Sequence, residues 1–192
     1  MDTLFPLEKT TPAGFQYIPD FISIDEEAAL IRSISDIQLN TFIFQGYEAK
    51  RRVASFGYDW NFDDRKLSKG RDIPEELNFL ISKVGVFLGL RNEAFAEVLL
   101  TEYPVDSVIN WHRDAPPFDL IAGISLLSDC TFRFRPHDKE KQGKNSVISI
   151  PVSRRSLYVI QGPGRTDWQH SILPVKQKRY SITLRTLREG SL

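Results

Sequence analysis

Cysteine is nearly absent from this chain, with Cys130 alone among 192 residues. A single cysteine excludes an intramolecular disulfide and a zinc cluster built on thiolates, and it is compatible with a reducing compartment. No apolar run approaches the roughly 18 residues of a membrane-spanning helix. The first residues also lack the basic start and apolar stretch of a secretory signal. We therefore expect a cytoplasmic protein that has no membrane partner.

An excess of charge of either sign is missing too, because 25 Lys and Arg residues balance 25 Asp and Glu residues. This balance argues against a chain that binds nucleic acid through its global charge. Local basic clusters remain at 50–52 and within 133–144. The basic residues of the second cluster are Arg133, Arg135, Lys139, Lys141 and Lys144.

The length fits one domain, and the first half shows two helix signals. Ser23 is an expected N-cap, and Glu26 three residues later completes a capping box at the start of an amphipathic stretch. A second helix is expected over 74–88, because Pro74 suits a first helical turn and Leu77, Leu80 and their neighbours share one face.

After residue 95 the sequence changes to short β-rich runs separated by turn residues. Eight strands at such spacing predict a mainly β fold, a sandwich or jelly roll, with the N-terminal helices on one side. The expected strands are 97–103, 108–112, 119–127, 130–135, 146–150, 156–160, 169–172 and 180–186.

Two histidines and an aspartate in this half form a candidate metal site. His112 lies two residues before Asp114, and residues i and i+2 of an extended segment project to the same side. His170, on a later strand, would complete a facial triad suited to non-haem Fe(II) with open coordination positions. A bare His-x-Asp is also compatible with an ordinary surface pair.

The last strand makes the metal interpretation stronger. Arg179, Ser181, Thr183 and Arg185 share one face, opposite an apolar face. A guanidinium that points into a β-barrel would be an unpaired buried charge, which is costly. A dicarboxylate co-substrate would remove that cost, because the guanidinium binds a carboxylate through two parallel hydrogen bonds.

Three segments now show a resemblance to a known family: WHRD at 111–114, WQHSI at 168–172 and RYSITLR at 179–185. They resemble the AlkB family of Fe(II)/2-oxoglutarate dioxygenases, whose pattern is His-x-Asp, a distal His and Arg-x-Asn-x-Thr-x-Arg. Segments 14–23, 51–60 and 154–170 extend the resemblance over most of the chain.

The resemblance implies a double-stranded β-helix and the use of Fe(II), 2-oxoglutarate and O2. We expect residues 1–14 to form an arm, 15–95 to hold helices and a substrate-recognition lid, and 96–192 to form the β core. The implied iron ligands and catalytic residues are His112, Asp114 and His170. The implied 2-oxoglutarate-binding residues are Tyr103, Arg179, Ser181, Thr183 and Arg185, with Arg179 on the distal carboxylate and Thr183 and Arg185 supporting that end of the pocket.

The chain also departs from the family pattern. Thr101 and Ser181 stand where the family usually has asparagine, and both can still form hydrogen bonds. Members that repair nucleobases often carry an acidic residue just after the His-x-Asp, whereas here Ala115-Pro116-Pro117 follows and Asp119 is the first carboxylate.

The segment 51–60 resembles the nucleotide-recognition region of the family. Aromatic residues beside basic residues are the features needed to stack on a base and to contact phosphate. The candidate substrate-binding residues are Arg51, Arg52, Phe56, Tyr58 and Trp60. The alternative is that the three aromatic rings pack on the barrel. Trp111 and Trp168, which flank the metal ligands, are expected to be core residues.

Three functions are compatible with this pattern. The first is oxidative dealkylation of N-alkylated bases in DNA or RNA by a monomeric enzyme, which would flip the base out of a duplex. The second is the same oxygenase chemistry on a protein side chain or small molecule, favoured by Pro116-Pro117 and the neutral net charge. The third is a non-catalytic binding module, against which the complete metal and arginine set argues.

Overall fold

The computed structural model describes residues 11–44, 46–143 and 145–191. Most of the expected arm, and Lys144 of the basic segment, lie outside these ranges. The described chain forms strands β1 to β12 and helices α1 to α3. The strands are Phe15–Ile18, Asn40–Phe44, Tyr47–Asn61, Lys66–Lys69, Phe95–Tyr103, Ile109–His112, Phe118–Leu126, Cys130–Pro136, Ile148–Val152, Leu157–Ile160, Trp168–Ile172 and Arg179–Leu187. The α-helices are Ile24–Ser35, Asn78–Leu88 and Gly162–Thr166.

The strands form a major and a minor antiparallel sheet. In the major sheet the order is β1-β10-β7-β12-β5-β3-β2, with β4 paired to β3, and in the minor sheet it is β6-β11-β8-β9. Phe132, Phe134 and Ile150 of the minor sheet share one buried cluster with Ile121 and Ile160 of the major sheet. The two sheets therefore enclose a core, and the predicted jelly-roll fold is confirmed.

A second core lies on the other face of the major sheet. There Leu30 and Ile34 of α1 and Leu80 and Val84 of α2 pack against strand residues such as Ile182. The helices thus cover the outer face of the major sheet and leave the space between the sheets to β-strand side chains. No helix in the described ranges is long and apolar enough to cross a membrane.

The eight expected C-terminal strands are all present as β5 to β12, within two residues at most of their ends. The sequence pattern did not predict β1 to β4. The 15 residues of β3 carry many charged and half-exposed side chains, because this strand lies near the edge of the sheet. Its pairing with β5 over Arg52–Gly57 overrides the weak local β-propensity.

Both predicted helices are found. The Ser23 hydroxyl accepts a hydrogen bond from the Glu26 amide at 3.1 Å, and the Glu26 carboxylate accepts one from the Ser23 amide at 2.7 Å. This capping box starts α1 where the sequence placed it. The turn after Pro74 is a 3-10 turn over Glu75–Leu77, so α2 begins later than expected.

Glu27 connects α1 to the major sheet. Its side chain is 1% exposed and ion-paired with Arg154. It also accepts a hydrogen bond at 2.8 Å from the amide of Leu127, a residue held at a positive φ of 73°. The carboxylate thus satisfies a backbone donor that follows β7.

Replacing Glu27 by Ala should lower the free energy of unfolding by about 2 kcal/mol, because the Leu127 amide loses its partner. The matched control is Asp25→Ala in the exposed first turn of α1, which should cost less than about 1 kcal/mol through the helix dipole. Urea denaturation measures the free energy of unfolding of both variants. Equal decreases in the two variants would contradict the role of Glu27 in connecting α1 to the major sheet.

Candidate metal and co-substrate site

The three candidate metal ligands come together between the sheets. His112 ends β6 and is the register partner of His170 in β11. Asp114 follows β6 by two residues, and its Oδ2 lies 3.4 Å from Nε2 of His170. One potential ligand atom from each of the three residues lies within 4.8 Å of the others. Strand pairing therefore places both imidazoles and the carboxylate around one point.

The imidazoles are held in the neutral form that binds metals. Burial lowers the pKa of His170 to about 3 and also lowers the pKa of His112. His112 Nδ1 lies 2.9 Å from the carbonyl oxygen of Asn110. Because a carbonyl can only accept, Nδ1 carries the proton and the Nε2 lone pair is left for a ligand.

Asp114 is held as a carboxylate. Burial alone would raise its pKa, but nearby positive charge, chiefly that of Arg185, outweighs burial, and the pKa lies well below its usual range. Arg185 donates to Asp114 Oδ1 at 2.7 Å. The buried Oδ2 has no hydrogen-bond partner. An unpartnered carboxylate oxygen beside two neutral imidazoles fits the two-histidine, one-carboxylate set of non-haem Fe(II).

Arg165, in α3, fixes the loop that follows Asp114. Its Nη2 donates to the carbonyl oxygens of Asp114, Ala115 and Phe118 at 2.9, 2.7 and 3.1 Å. No role for this residue could be predicted from the sequence, because nothing in Gly162–Thr166 distinguishes a buried arginine from an exposed one.

Arg179 defines a second part of the site. It is fully buried at the start of β12, where its Nε donates to Ser125 Oγ at 3.0 Å and its guanidinium lies 4.8 Å from the ring centre of Tyr103. Nη1 and Nη2 have no hydrogen-bond partner, and no carboxylate in the described ranges pairs with them. Such a buried fork fits the carboxylate of 2-oxoglutarate.

Side chains from four strands line the pocket beside Arg179. The Tyr103 hydroxyl is 3.4 Å from Ser181 Oγ. The ring of Tyr158 lies against Gly123, where a Cβ atom would be 2.0 Å from the ring. Burial raises the pKa of Tyr158, which is hydrogen-bonded to Thr183 and stays protonated. Tyr158 and Ser125 were not predicted, because neither belongs to a recognisable motif.

Arg185 has a different position from Arg179. It donates to Asp114 and, at 2.6 Å, to the buried carboxylate of Glu97. The resemblance to the AlkB family implied that Arg185 supports the distal end of the co-substrate pocket. Both of its described ion pairs lie at the metal end, so the structure links Arg185 to the metal ligand.

The candidate substrate residues separate onto two faces of β3. Arg52 pairs with Glu102, on the face opposite Tyr103. Phe56 is 6% exposed and belongs to the core beneath the helices, so it is not available to stack on a base. This part of the prediction is wrong, because Phe56 is the register partner of Val98 in β5, and both side chains face the core beneath the helices.

The remaining substrate candidates occupy different positions along β3. Arg51 is stacked on Phe42 at 4.0 Å, and its positive charge adds to burial in lowering the pKa of His112. Beyond Gly57, β3 pairs with β4 as a hairpin, where Tyr58 is opposite Lys69. Trp60 packs against the core between the sheets, as the alternative interpretation expected for this ring.

Comparison with known proteins gives a coherent result. Residues 14–188 match the model of the 2OG-Fe(II) oxygenase superfamily. An Arabidopsis thaliana "Alkylated DNA repair protein ALKBH8 homolog" is 25% identical over 91% of this chain and 58% of its own length. A mouse "tRNA (carboxymethyluridine(34)-5-O)-methyltransferase ALKBH8" is 28% identical over 86% of this chain and 25% of its own length. The chain thus spans only part of these relatives.

Solved structures agree on the fold. The structure of OsALKBH1 superposes with a TM-score of 0.67 at 16% identity, covering 94% of this chain and 100% of that one. A Pseudomonas putida prolyl-4-hydroxylase gives a TM-score of 0.62 at 16% identity, covering 91% of this chain and 93% of that one.

Replacing Asp114 by Asn should weaken Mn(II) binding at least about tenfold, because the change removes the anionic ligand while keeping its shape. Asp119→Asn, an exposed carboxylate five residues later, is the matched control and should bind Mn(II) like the wild type. Electron paramagnetic resonance titration measures free Mn(II). Wild-type affinity in Asp114→Asn would remove this residue from the ligand set.

Replacing Arg179 by Lys should raise the Michaelis constant for 2-oxoglutarate about tenfold or more, because lysine keeps the charge but loses the two parallel donors. Arg32→Lys, on the exposed side of α1, serves as control. Succinate release measured against 2-oxoglutarate concentration gives the constant. An unchanged value would show that another cation binds the carboxylate.

Proposed function

The chain belongs to the 2OG-Fe(II) oxygenase superfamily, and from this premise we propose that it oxidatively dealkylates N-alkylated bases of DNA or RNA. It is an AlkB-type dioxygenase that uses Fe(II), 2-oxoglutarate and O2. The proposal concerns the substrate, and it is based on the hairpin that β3 and β4 form.

The residues of the site have separable tasks. Fe(II), when held by His112, Asp114 and His170, couples the oxidation of 2-oxoglutarate by O2 to the oxidation of an alkyl carbon. Arg179 orients 2-oxoglutarate by its carboxylate, and Arg185 holds Asp114 in position. An alkyl group on a base nitrogen, once hydroxylated at its carbon, leaves as an aldehyde and restores the base.

The β3–β4 hairpin supports a planar, anionic substrate. Tyr58 and Lys69 are register partners and line one cleft of about 750 Å³. The cleft lies at the end of the major sheet where β5 begins and β12 ends. A half-exposed aromatic ring beside a cation can stack on a base and contact a phosphate. Trp60 anchors the hairpin by packing against the core between the sheets.

The names of the relatives support the same substrate class. One refers to alkylated DNA repair and another to a tRNA methyltransferase, and a mouse alkB homolog 3 is 29% identical over 41% of this chain. Each name describes its own protein, and what these names share is a reference to nucleic acid.

A protein side chain or small molecule is the second candidate substrate. The observation that favours it is the loop after Asp114, where Pro116 and Pro117 occupy positions at which an acidic residue would contact a base. Asp119 is the next carboxylate and is exposed.

The experiment is to incubate the Fe(II)-loaded enzyme with 2-oxoglutarate and single-stranded oligonucleotides that carry N-methylated bases. We expect succinate and formaldehyde to form in equal amounts and the unmethylated base to appear by mass spectrometry. If methylated oligonucleotides do not stimulate 2-oxoglutarate turnover whereas peptides or small amines do, the second candidate is correct.

Tyr58→Ala should weaken binding of a methylated oligonucleotide by roughly 1–3 kcal/mol, the contribution of one stacked base. Turnover of 2-oxoglutarate without substrate should not change, because the iron site is untouched. Phe56→Ala is the control: this ring is in the core, so its loss should lower the melting temperature and leave binding unchanged. Fluorescence anisotropy beside thermal melts tests both, and wild-type binding by Tyr58→Ala would contradict the stacking role.

A further inference from the structure

The outer face of the minor sheet carries an aromatic and basic cluster that the oxygenase site does not use. Along β8, Phe132 and Phe134 point into the core between the sheets, so Arg133 and Arg135 point outward. Trp111, which precedes the inward-facing ligand His112, meets these two arginines. We name Trp111, Arg133 and Arg135 the outer cluster.

Both guanidinium groups lie over one indole ring. The guanidinium carbons of Arg133 and Arg135 are 4.7 and 4.6 Å from the ring centre of Trp111. Arg133 Nε donates to Ser171 Oγ at 3.0 Å, and Arg135 Nε donates to Gln169 Oε1 at 2.7 Å. Each hydrogen bond joins register partners on β8 and β11. The two cations are therefore held in place by the sheet.

No acidic side chain of the described residues neutralises the outer cluster. Across the described ranges, neither Arg133 nor Arg135 forms an ion pair, and hydrogen bonds engage only the Nε of each. Alternation places neutral side chains beside them on this face. These residues are Thr131, Ser149, Pro151, Gln169 and Ser171. In a chain of zero net charge, this is a local positive face around an aromatic ring.

Trp111 does not have the expected core position. It is half-buried and belongs to neither buried cluster of the described structure, whereas Trp168 packs against the core between the sheets. A tryptophan whose ring packs under two arginines, outside both cores, contributes little to holding the sheets together. The indole ring of Trp111 is instead suited to stacking on another planar group.

We propose that the outer cluster binds unmodified single-stranded nucleic acid, with Arg133 and Arg135 on the phosphates and Trp111 beside a base. Guanidinium groups bind phosphate through parallel hydrogen bonds, and an indole stacks on any base. A single strand fits because its bases are exposed. The inference rests on the proposed function, because the outer cluster would give the proposed enzyme a second contact with its substrate. This contact lies on the reverse side of strand β6.

Fluorescence anisotropy with labelled, unmodified 12-nucleotide strands, one of RNA and one of DNA, tests the inference on the full chain. Arg133→Gln/Arg135→Gln should weaken binding about tenfold or more through loss of two charge-assisted contacts. The slope of log affinity against log salt should fall by about 1.4, at roughly 0.7 per phosphate contact on a single strand. Arg32→Gln/Arg91→Gln removes the same charge from exposed positions on the helical side and should bind like the wild type.

Trp111→Ala should weaken binding roughly 5- to 150-fold, whereas Trp111→Phe, which keeps an aromatic face, should lose less. Melting temperatures and 2-oxoglutarate turnover without substrate show whether each variant keeps its fold and its iron site. The arginine variant alone is decisive if Trp111→Ala disturbs His112. A loss of affinity for both strands, whether equal for RNA and DNA or larger for one of them, supports nucleic-acid binding by the outer cluster.

Wild-type affinity and salt slope in Arg133→Gln/Arg135→Gln would overturn the inference. It would also be overturned if polyglutamate displaced the oligonucleotide as effectively as an unlabelled strand, because the face would then suit an acidic protein. The proposed function is tested separately with a methylated nucleoside, which is too small to reach both surfaces. If the wild type does not demethylate it or any methylated strand, while the arginine variant still loses binding, the proposed function fails and the outer cluster stands.

Discussion

Arg179 is buried at the start of β12, and both terminal nitrogens of its guanidinium lack a hydrogen-bond partner. An uncompensated buried charge is costly. The pairing of β12 with β5 and β7 brings Tyr103 and Ser125 to it, and neither supplies the missing anion. Among the residues that the structure describes, no carboxylate pairs with Arg179, so the space between the sheets fits a carboxylate supplied by a bound molecule.

The metal end shows the complementary arrangement. There Arg185 is ion-paired with both Asp114 and Glu97, and Oδ2 of Asp114 is a buried carboxylate oxygen without a hydrogen-bond partner. Two arginines six residues apart on one strand therefore have opposite tasks. Arg185 binds carboxylates of the chain itself. The free Nη1 and Nη2 donors of Arg179 instead fit the carboxylate of a bound molecule. Because six residues is an even number, both arginines lie on one face of β12, and the length of strand between them separates the co-substrate end of the cavity from the metal end.

Much of this could be predicted from local patterns. The capping box at Ser23, the eight C-terminal strands and the convergence of the metal triad follow from periodicity and spacing. Residues whose position depends on distant pairing could not be predicted. Arg165 reaches three carbonyl oxygens of the segment 114–118, Phe56 lies in the core because β3 pairs with β5, and Trp111 lies outside both cores because its partners come from β8.

The most direct test of the account is a crystal structure of the protein with Mn(II) and 2-oxoglutarate. We expect Mn(II) to be bound by His112, Asp114 and His170, and a carboxylate of 2-oxoglutarate to accept hydrogen bonds from Nη1 and Nη2 of Arg179. If that carboxylate instead binds Arg185 and displaces Asp114, or if Arg179 Nη1 and Nη2 remain without an anion in the complex, the account of the site is contradicted.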